Sequence, residues 1–197
     1  MREELTAATL ALAMLSACGP EPNTPENALA RAAREGRLEA MRALIKAGAD
    51  VNGRDRNNWT PLVHAIHKRQ DAAARLLLES GAEADEAMDG GATPLMFAAA
   101  YGETAIVEEL LSRGADPHRQ TAGGVNALVL AAGGGRLFDI TDGPPFGSCS
   151  FDTVKVLLRH SPDLRLPANF WTRAARFFGR SRDCAETFAL LEARRRS

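Results

Sequence analysis

Residues 91–116 read Gly-Ala-Thr-Pro-Leu-Met-Phe-Ala-Ala-Ala-Tyr-Gly-Glu-Thr-Ala-Ile-Val-Glu-Glu-Leu-Leu-Ser-Arg-Gly-Ala-Asp, and this stretch has echoes on both sides. Its Thr93-Pro94-Leu95 stands 33 residues after Thr60-Pro61-Leu62 and 33 residues before an altered copy, Asn126-Ala127-Leu128. Its closing Arg113-Gly114-Ala115-Asp116 repeats Ser80-Gly81-Ala82-Glu83 and Ala47-Gly48-Ala49-Asp50 at the same step. Two markers that keep one period define a repeat, and a period of this length belongs to stacked supersecondary units.

Between the markers, Leu95, Ala98 and Ala99, then Ile106, Val107, Leu110 and Leu111, recur at helical spacing. Proline suits the first turn of a helix, where its missing N–H costs nothing, and the preceding threonine hydroxyl caps orphan backbone groups. Glycine after the second apolar run tolerates the left-handed backbone of a helix stop. Each unit therefore reads as a turn, a short helix, a tight connection and a second helix. No single unit can bury its own apolar face, so neighbours must stack.

The pattern resembles the ankyrin repeat, most plainly in Gly48-Ala-Asp-Val-Asn52 leading to Trp59-Thr-Pro-Leu62 and in Gly91 to Ala99 leading to Leu110 to Asp116. The resemblance spans about residues 26–197: a first unit near Asn27 with Leu29, Ala32 and Gly36 in phase, units from about 58, 91 and 124, and a terminal unit from about Phe170. It implies an all-α solenoid of helix-turn-helix units with hairpin-like fingers, about five units including caps. The family usually has histidine after Thr-Pro-Leu, tying neighbours together, but here that place holds Val63, Met96 and Val129, with His64 one residue late. Inter-repeat polar ties are therefore expected to give way to packing. In the fourth unit Val154, Leu157 and Leu158 fall 14 residues later than the period demands, which places an inserted loop at about 136–149 with Phe138, Ile140, Pro144-Pro145 and Phe146. A loop so apolar either folds back on the solenoid or meets a partner.

The N-terminus carries a different signal. Leu5 to Ala17 is uncharged, too short to span a membrane as a helix, and right for the apolar part of an export signal. Leu15-Ser16-Ala17-Cys18 resembles the lipobox of bacterial lipoproteins, which implies a signal peptide at 1–17 and lipidation of Cys18. The Pro-rich stretch 18–25 then reads as an extended tether. The first residues, Met-Arg-Glu-Glu, depart from the net positive start of such signals, and the competing reading is an Ala-rich helix covering one end of the fold. By family analogy Gly19, in place of the aspartate that retains lipoproteins in the inner membrane, points to a periplasmic, outer-membrane anchorage. With Cys18 lipidated, Cys149 and Cys184 remain as an even pair in an oxidising compartment, each just ahead of a second helix, and they form the candidate disulfide; the alternative is two unrelated buried thiols.

Charge and motifs narrow the function. The chain carries 24 Lys and Arg against 25 Asp and Glu, so it lacks the basic excess of a nucleic-acid binder. His64 and His67, three apart, lack further ligands at metal-site spacing and read as exposed or capping residues; no metal and no cofactor is expected. No Ser-His-Asp signature, phosphate loop or paired-carboxylate motif occurs, and Gly133-Gly-Gly135 falls where the family has its helix-to-helix turn. The resemblance thus implies a non-enzymatic module, monomeric, that binds another protein through finger tips and first-helix ends. Carried onto this chain, that surface holds Arg34, Arg56, Asn57, Trp59, His67, Lys68, Asp89 and Tyr101, with Trp59 and Tyr101 as anchors. A periplasmic immunity protein that neutralises a secreted toxin is the alternative of similar class, and an enzyme built on the inserted loop is the remote one.

Overall fold

A computed structural model of the chain describes residues 25–133, 149–166 and 184–196. Among these residues the secondary structure is helical, with no strand. By its contacts the chain divides into two compact units, Met1–Glu83 and Ala84–Ser197.

The first unit holds two helix pairs. α1 (Pro25–Arg34) is followed by α2 (Leu38–Lys46), and after a finger α3 (Pro61–His67) is followed by α4 (Asp71–Glu79). First helix packs on first helix, α1 on α3, and second on second, α2 on α4. Leu29, Ala32, Met41, Leu44, Leu62, Ile66, Leu77 and Leu78 make the core, each at most 1% exposed.

The second unit repeats the plan. α5 (Pro94–Tyr101) and α6 (Thr104–Ser112) precede α7 (Ala127–Gly133) and α8 (Phe151–His160), with α5 packed on α7 and α6 on α8. Val154, Leu157 and Leu158 of α8 are buried as their counterparts Val107, Leu110 and Leu111 are. The longer path between α7 and α8 is where the inserted loop was expected; its residues 134–148 lie outside the described ones. α9 (Ala185–Arg196) packs on α8. The predicted signal at 1–17, Cys18, most of the tether at 18–25 and the start of the terminal unit near Phe170 also lie outside the described residues.

The first helices begin for the reasons the sequence gives. Thr60 and Thr93 accept from the backbone N–H of Val63 (3.4 Å) and Met96 (3.3 Å), with proline at the next position. In the altered copy Asn126 Oδ1 accepts from Val129 N at 3.0 Å, so the cap survives the loss of threonine. Such a cap is worth about 1 kcal/mol. Each finger closes on itself through two backbone bonds at the same register: Asp55 N to Trp59 O and Asn58 N to Asp55 O, Met88 N to Ala92 O and Gly91 N to Met88 O, and Thr121 N to Val125 O and Gly124 N to Thr121 O.

Three sets of left-handed residues keep the period. Gly48, Gly81 and Gly114 (φ 89°, 94° and 91°) end the second helices. The turn after the first helix uses Gly36 and Gly102 (φ 67° and 68°) but Arg69 (φ 55°) between them, and the finger tips use Gly91 and Gly124 (φ 82° and 73°) but Asn58 (φ 61°). The second repeat alone has replaced both of these glycines.

The polar ties expected to give way to packing are present at another position. Asn52 accepts from Glu83 N at 2.9 Å and donates to Gly81 O at 3.3 Å, joining its finger to the start of the next. One period later, in the second unit, Asp85 accepts from Asp116 N at 3.2 Å and pairs with Arg119 at 3.1 Å. In these two places the tie lies at the finger base, while in the fourth repeat Asn126 at the helix start donates to Arg165 O at 3.2 Å.

Candidate functional site

The finger of the second repeat is organised by Asp55. Its Oδ1 accepts from the backbone N–H of Asn57 and of Trp59, each at 2.9 Å, and its Oδ2 lies 2.9 Å from His64 Nε2 on α3. A carboxylate only accepts, so the imidazole proton sits on Nε2 and donates. Arg54 donates to Asn58 Oδ1 at 2.8 Å, holding the left-handed tip. Asn58 is among the few residue types that adopt this conformation at small cost.

Trp59 follows the tip and lies half-buried across α3. Its ring centroid is 5.2 Å from those of both His64, tilted by 50°, and His67, edge-on at 78°. The two histidines share one helix face because they are three residues apart. Burial lowers the pKa of His64, against the hydrogen bond and charge of Asp55, which raise it; Arg34 and Lys68 add to the lowering. His67 is lowered to about 4, chiefly by burial and then by the charges of Lys68 and His64. Both rings are therefore neutral near pH 7.

Of the residues expected at the binding surface, six lie in the first unit, on the finger and the first-helix ends. Arg34, Arg56 and Asn57 are exposed, and Trp59 and Lys68 half-exposed. His67 corrects the expectation: at 4% exposure it is a buried support beneath Trp59. In the second unit Asp89 is exposed, on the short 3-10 turn Asp89–Gly91, whereas Tyr101 is 4% exposed and belongs to the core. Its helix α5 is buried from Pro94 to Tyr101, as a helix without a polar residue should be. Asp55 and Arg69 were not singled out as functional from the sequence. Nothing in the sequence separates Asp55 from an ordinary turn residue, whereas the Arg69 slot is marked by glycine, Gly36 and Gly102, in the repeats on either side.

Cys149 and Cys184 are joined as a disulfide, Cα to Cα 5.1 Å, across 35 residues of chain. Both are buried, at 7% and 2% exposure. The bond connects the residue just ahead of α8 to the start of α9, the last helix described. Among the described residues no group of three or more His, Cys, Asp or Glu is placed to hold a metal ion, and no helix is long and apolar enough to cross a membrane.

A family model of ankyrin repeats (3 copies) matches residues 6–88 and 69–121, more than half of the chain. The chain belongs to the ankyrin repeat family, whose members generally bind other proteins and are not enzymes. The match begins at residue 6, inside the stretch read as an export signal. No curated protein matches the chain.

Proposed function

We propose that this chain is a non-enzymatic protein-binding module of the bacterial envelope, held to the periplasmic face of the outer membrane by a lipid on Cys18. Membership of a family of binding modules supports the binding half of this reading. Half-exposed Trp59, with exposed Arg56 and Asn57 close by in the same finger, adds to it, because tryptophan and arginine are common anchors of protein interfaces. The observation that carries the envelope half is the Cys149–Cys184 pair, since such bonds persist in oxidising compartments and are rare in the cytosol.

The test is the intact mass of the protein recovered from a bacterial membrane fraction, with and without reduction before alkylation. A lipid adduct on a chain beginning at Cys18, with two thiols blocked until reduction, supports the reading. A chain that retains Met1 and has three free thiols returns the apolar run to the solenoid as a helix and the protein to the cytosol. For the binding half, Trp59→Ala should weaken partner capture more than it lowers the melting temperature. Equal capture would move the binding surface to the inserted loop, where deletion of residues 137–148 is the matching test.

A further inference from the structure

Between α7, α8 and α9 the second unit holds a cleft of about 250 Å³ that the reading above does not use. Its walls are leucines: Leu128 of α7, Leu158 of α8, Leu164 and Leu166 of the segment after α8, and Leu191 of α9. Leu128, Leu158, Leu164 and Leu191 are each at most 6% exposed, so the wall belongs to the core and is not a loose apolar patch. The segment that closes the cleft is fixed by the fold. Leu164 N donates to Ser161 O at 3.1 Å, and Asn126, the cap of α7, donates to Arg165 O at 3.2 Å.

The other residues that line it are Arg165, Arg194 and Arg195, and among the described residues none of the lining ones is acidic. Arg165 and Arg195 are exposed, which marks the arginine side as the open end. Arg165 donates to the carbonyl oxygens of Pro162 (3.0 Å) and Leu164 (3.3 Å), and Arg194 donates to the same Pro162 oxygen. Two guanidiniums are thereby gathered at one neutral acceptor. A carbonyl oxygen orients a cation without cancelling its charge, and a guanidinium carries five N–H donors. Asp163, within the same segment, lies 3.6 Å from His118 Nε2 and does not line the cleft.

We propose that this cleft binds a single-chain anionic amphiphile, a medium-chain fatty carboxylate, with its alkyl chain along the leucines and its carboxylate among Arg165, Arg194 and Arg195. The site stands apart from the binding-module reading and survives if that reading fails. Volume sets the length of the chain: an apolar cavity of about 150 Å³ takes benzene, so one of about 250 Å³ holds on the order of ten carbons. Chemistry disfavours a peptide. Its N–H groups need acceptors, and the side chains that line the cleft are leucines and arginines, which offer none. An alkyl chain brings no such groups, and the planar guanidinium matches a carboxylate through paired N–H donors.

The test is titration of the isotope-labelled full chain with octanoate, followed by amide chemical shifts, with octanol as the uncharged analogue and butanoate as the short one. The native chain is compared with two cleft variants, Arg165→Gln with Arg194→Gln, and Leu191→Phe, which fills the cleft. The control, Lys155→Gln with Arg159→Gln, removes as many charges from α8 outside the cleft. Urea midpoints establish which variants fold; should Leu191→Phe fail, the shift map and the arginine variant decide. Octanoate is expected to give saturable shifts in α7, α8 and α9 that spare α1–α4, and to bind about tenfold more tightly than octanol or butanoate. The arginine variant should lose about tenfold for octanoate and less than about twofold for octanol, and the control less than about twofold for either. Octanol bound as tightly as octanoate, equal losses in cleft and control variants, shifts centred on α1–α4, or no saturable shift at all would overturn the proposal. So would a peptide ending in Glu-Phe that binds more tightly than octanoate and is lost in the same cleft variants, which assigns the cleft to a protein segment.

Discussion

Asp55 Oδ2 lies 2.9 Å from His64 Nε2, so the finger of the second repeat is latched to the helix that follows it by one carboxylate. The same carboxylate also closes the turn through Asn57 N and Trp59 N. Replacing it with alanine removes three hydrogen bonds and leaves half-buried donors without an acceptor. Asp55→Ala should cost about 2–3 kcal/mol, read as a lower urea midpoint.

His67 makes stability depend on pH. Its folded pKa of about 4 is below the ordinary 6.5, so the unfolded chain binds the extra proton first as pH falls. Its stability contribution is complete above pH 6.5 and is lost progressively as pH falls from 6.5 toward about 4. The loss is on the order of 1–3 kcal/mol. His67→Phe should flatten the stability curve across that window, as measured by urea unfolding at a series of pH values.

Arg69→Gly should leave stability within about 0.5 kcal/mol of the native chain, because relief of the left-handed strain is offset by a more flexible unfolded state. Gly36→Ala should behave differently. Its φ is 67°, and a Cβ there would stand 2.4 Å from Gln70 Oε1, so a loss of about 1–2 kcal/mol is expected in the same assay.

Reduction of the Cys149–Cys184 bond should act on the C-terminal end alone. Cys184→Ser, or dithiothreitol, is expected to cost the end cap about 2–4 kcal/mol. Amide exchange should accelerate in α8 and α9 and stay unchanged in α1–α4, since repeat arrays open locally. Uniform acceleration would show that the bond stabilises the whole chain as one cooperative body.

Most of this fold could be read in advance because the period of 33 residues is marked twice in each repeat. Asn126 could be placed as the third cap by register even though it is not threonine. The side chains that act between repeats were harder to see. Asn52 and Asp85 took over a role expected of histidine, and a finger-base amide has no sequence mark that separates it from a solvated turn residue. Exposure was misjudged for Tyr101 and His67 because position in the repeat was weighed above the surroundings. The unbroken apolar run Pro-Leu-Met-Phe-Ala-Ala-Ala before Tyr101 already indicated a helix packed on every side. Trp59 stood out by its type, whereas the left-handed backbone of Arg69 is recorded by no residue letter.

The ties made by Asn52 and Asp85 reach backbone N–H groups, at Glu83 and Asp116, and Asn52 also reaches the carbonyl of Gly81. Main-chain atoms are the same whatever residue occupies those positions. These main-chain contacts do not read the neighbour's side chains; only the Asp85–Arg119 pair does. The arrangement separates grammar from vocabulary: exposed tip positions such as 56 and 57 can be rewritten by selection, whereas Asp55, which closes its finger, and Gly91, where a Cβ would stand 3.1 Å from Gln120 O of the next finger, belong to the frame.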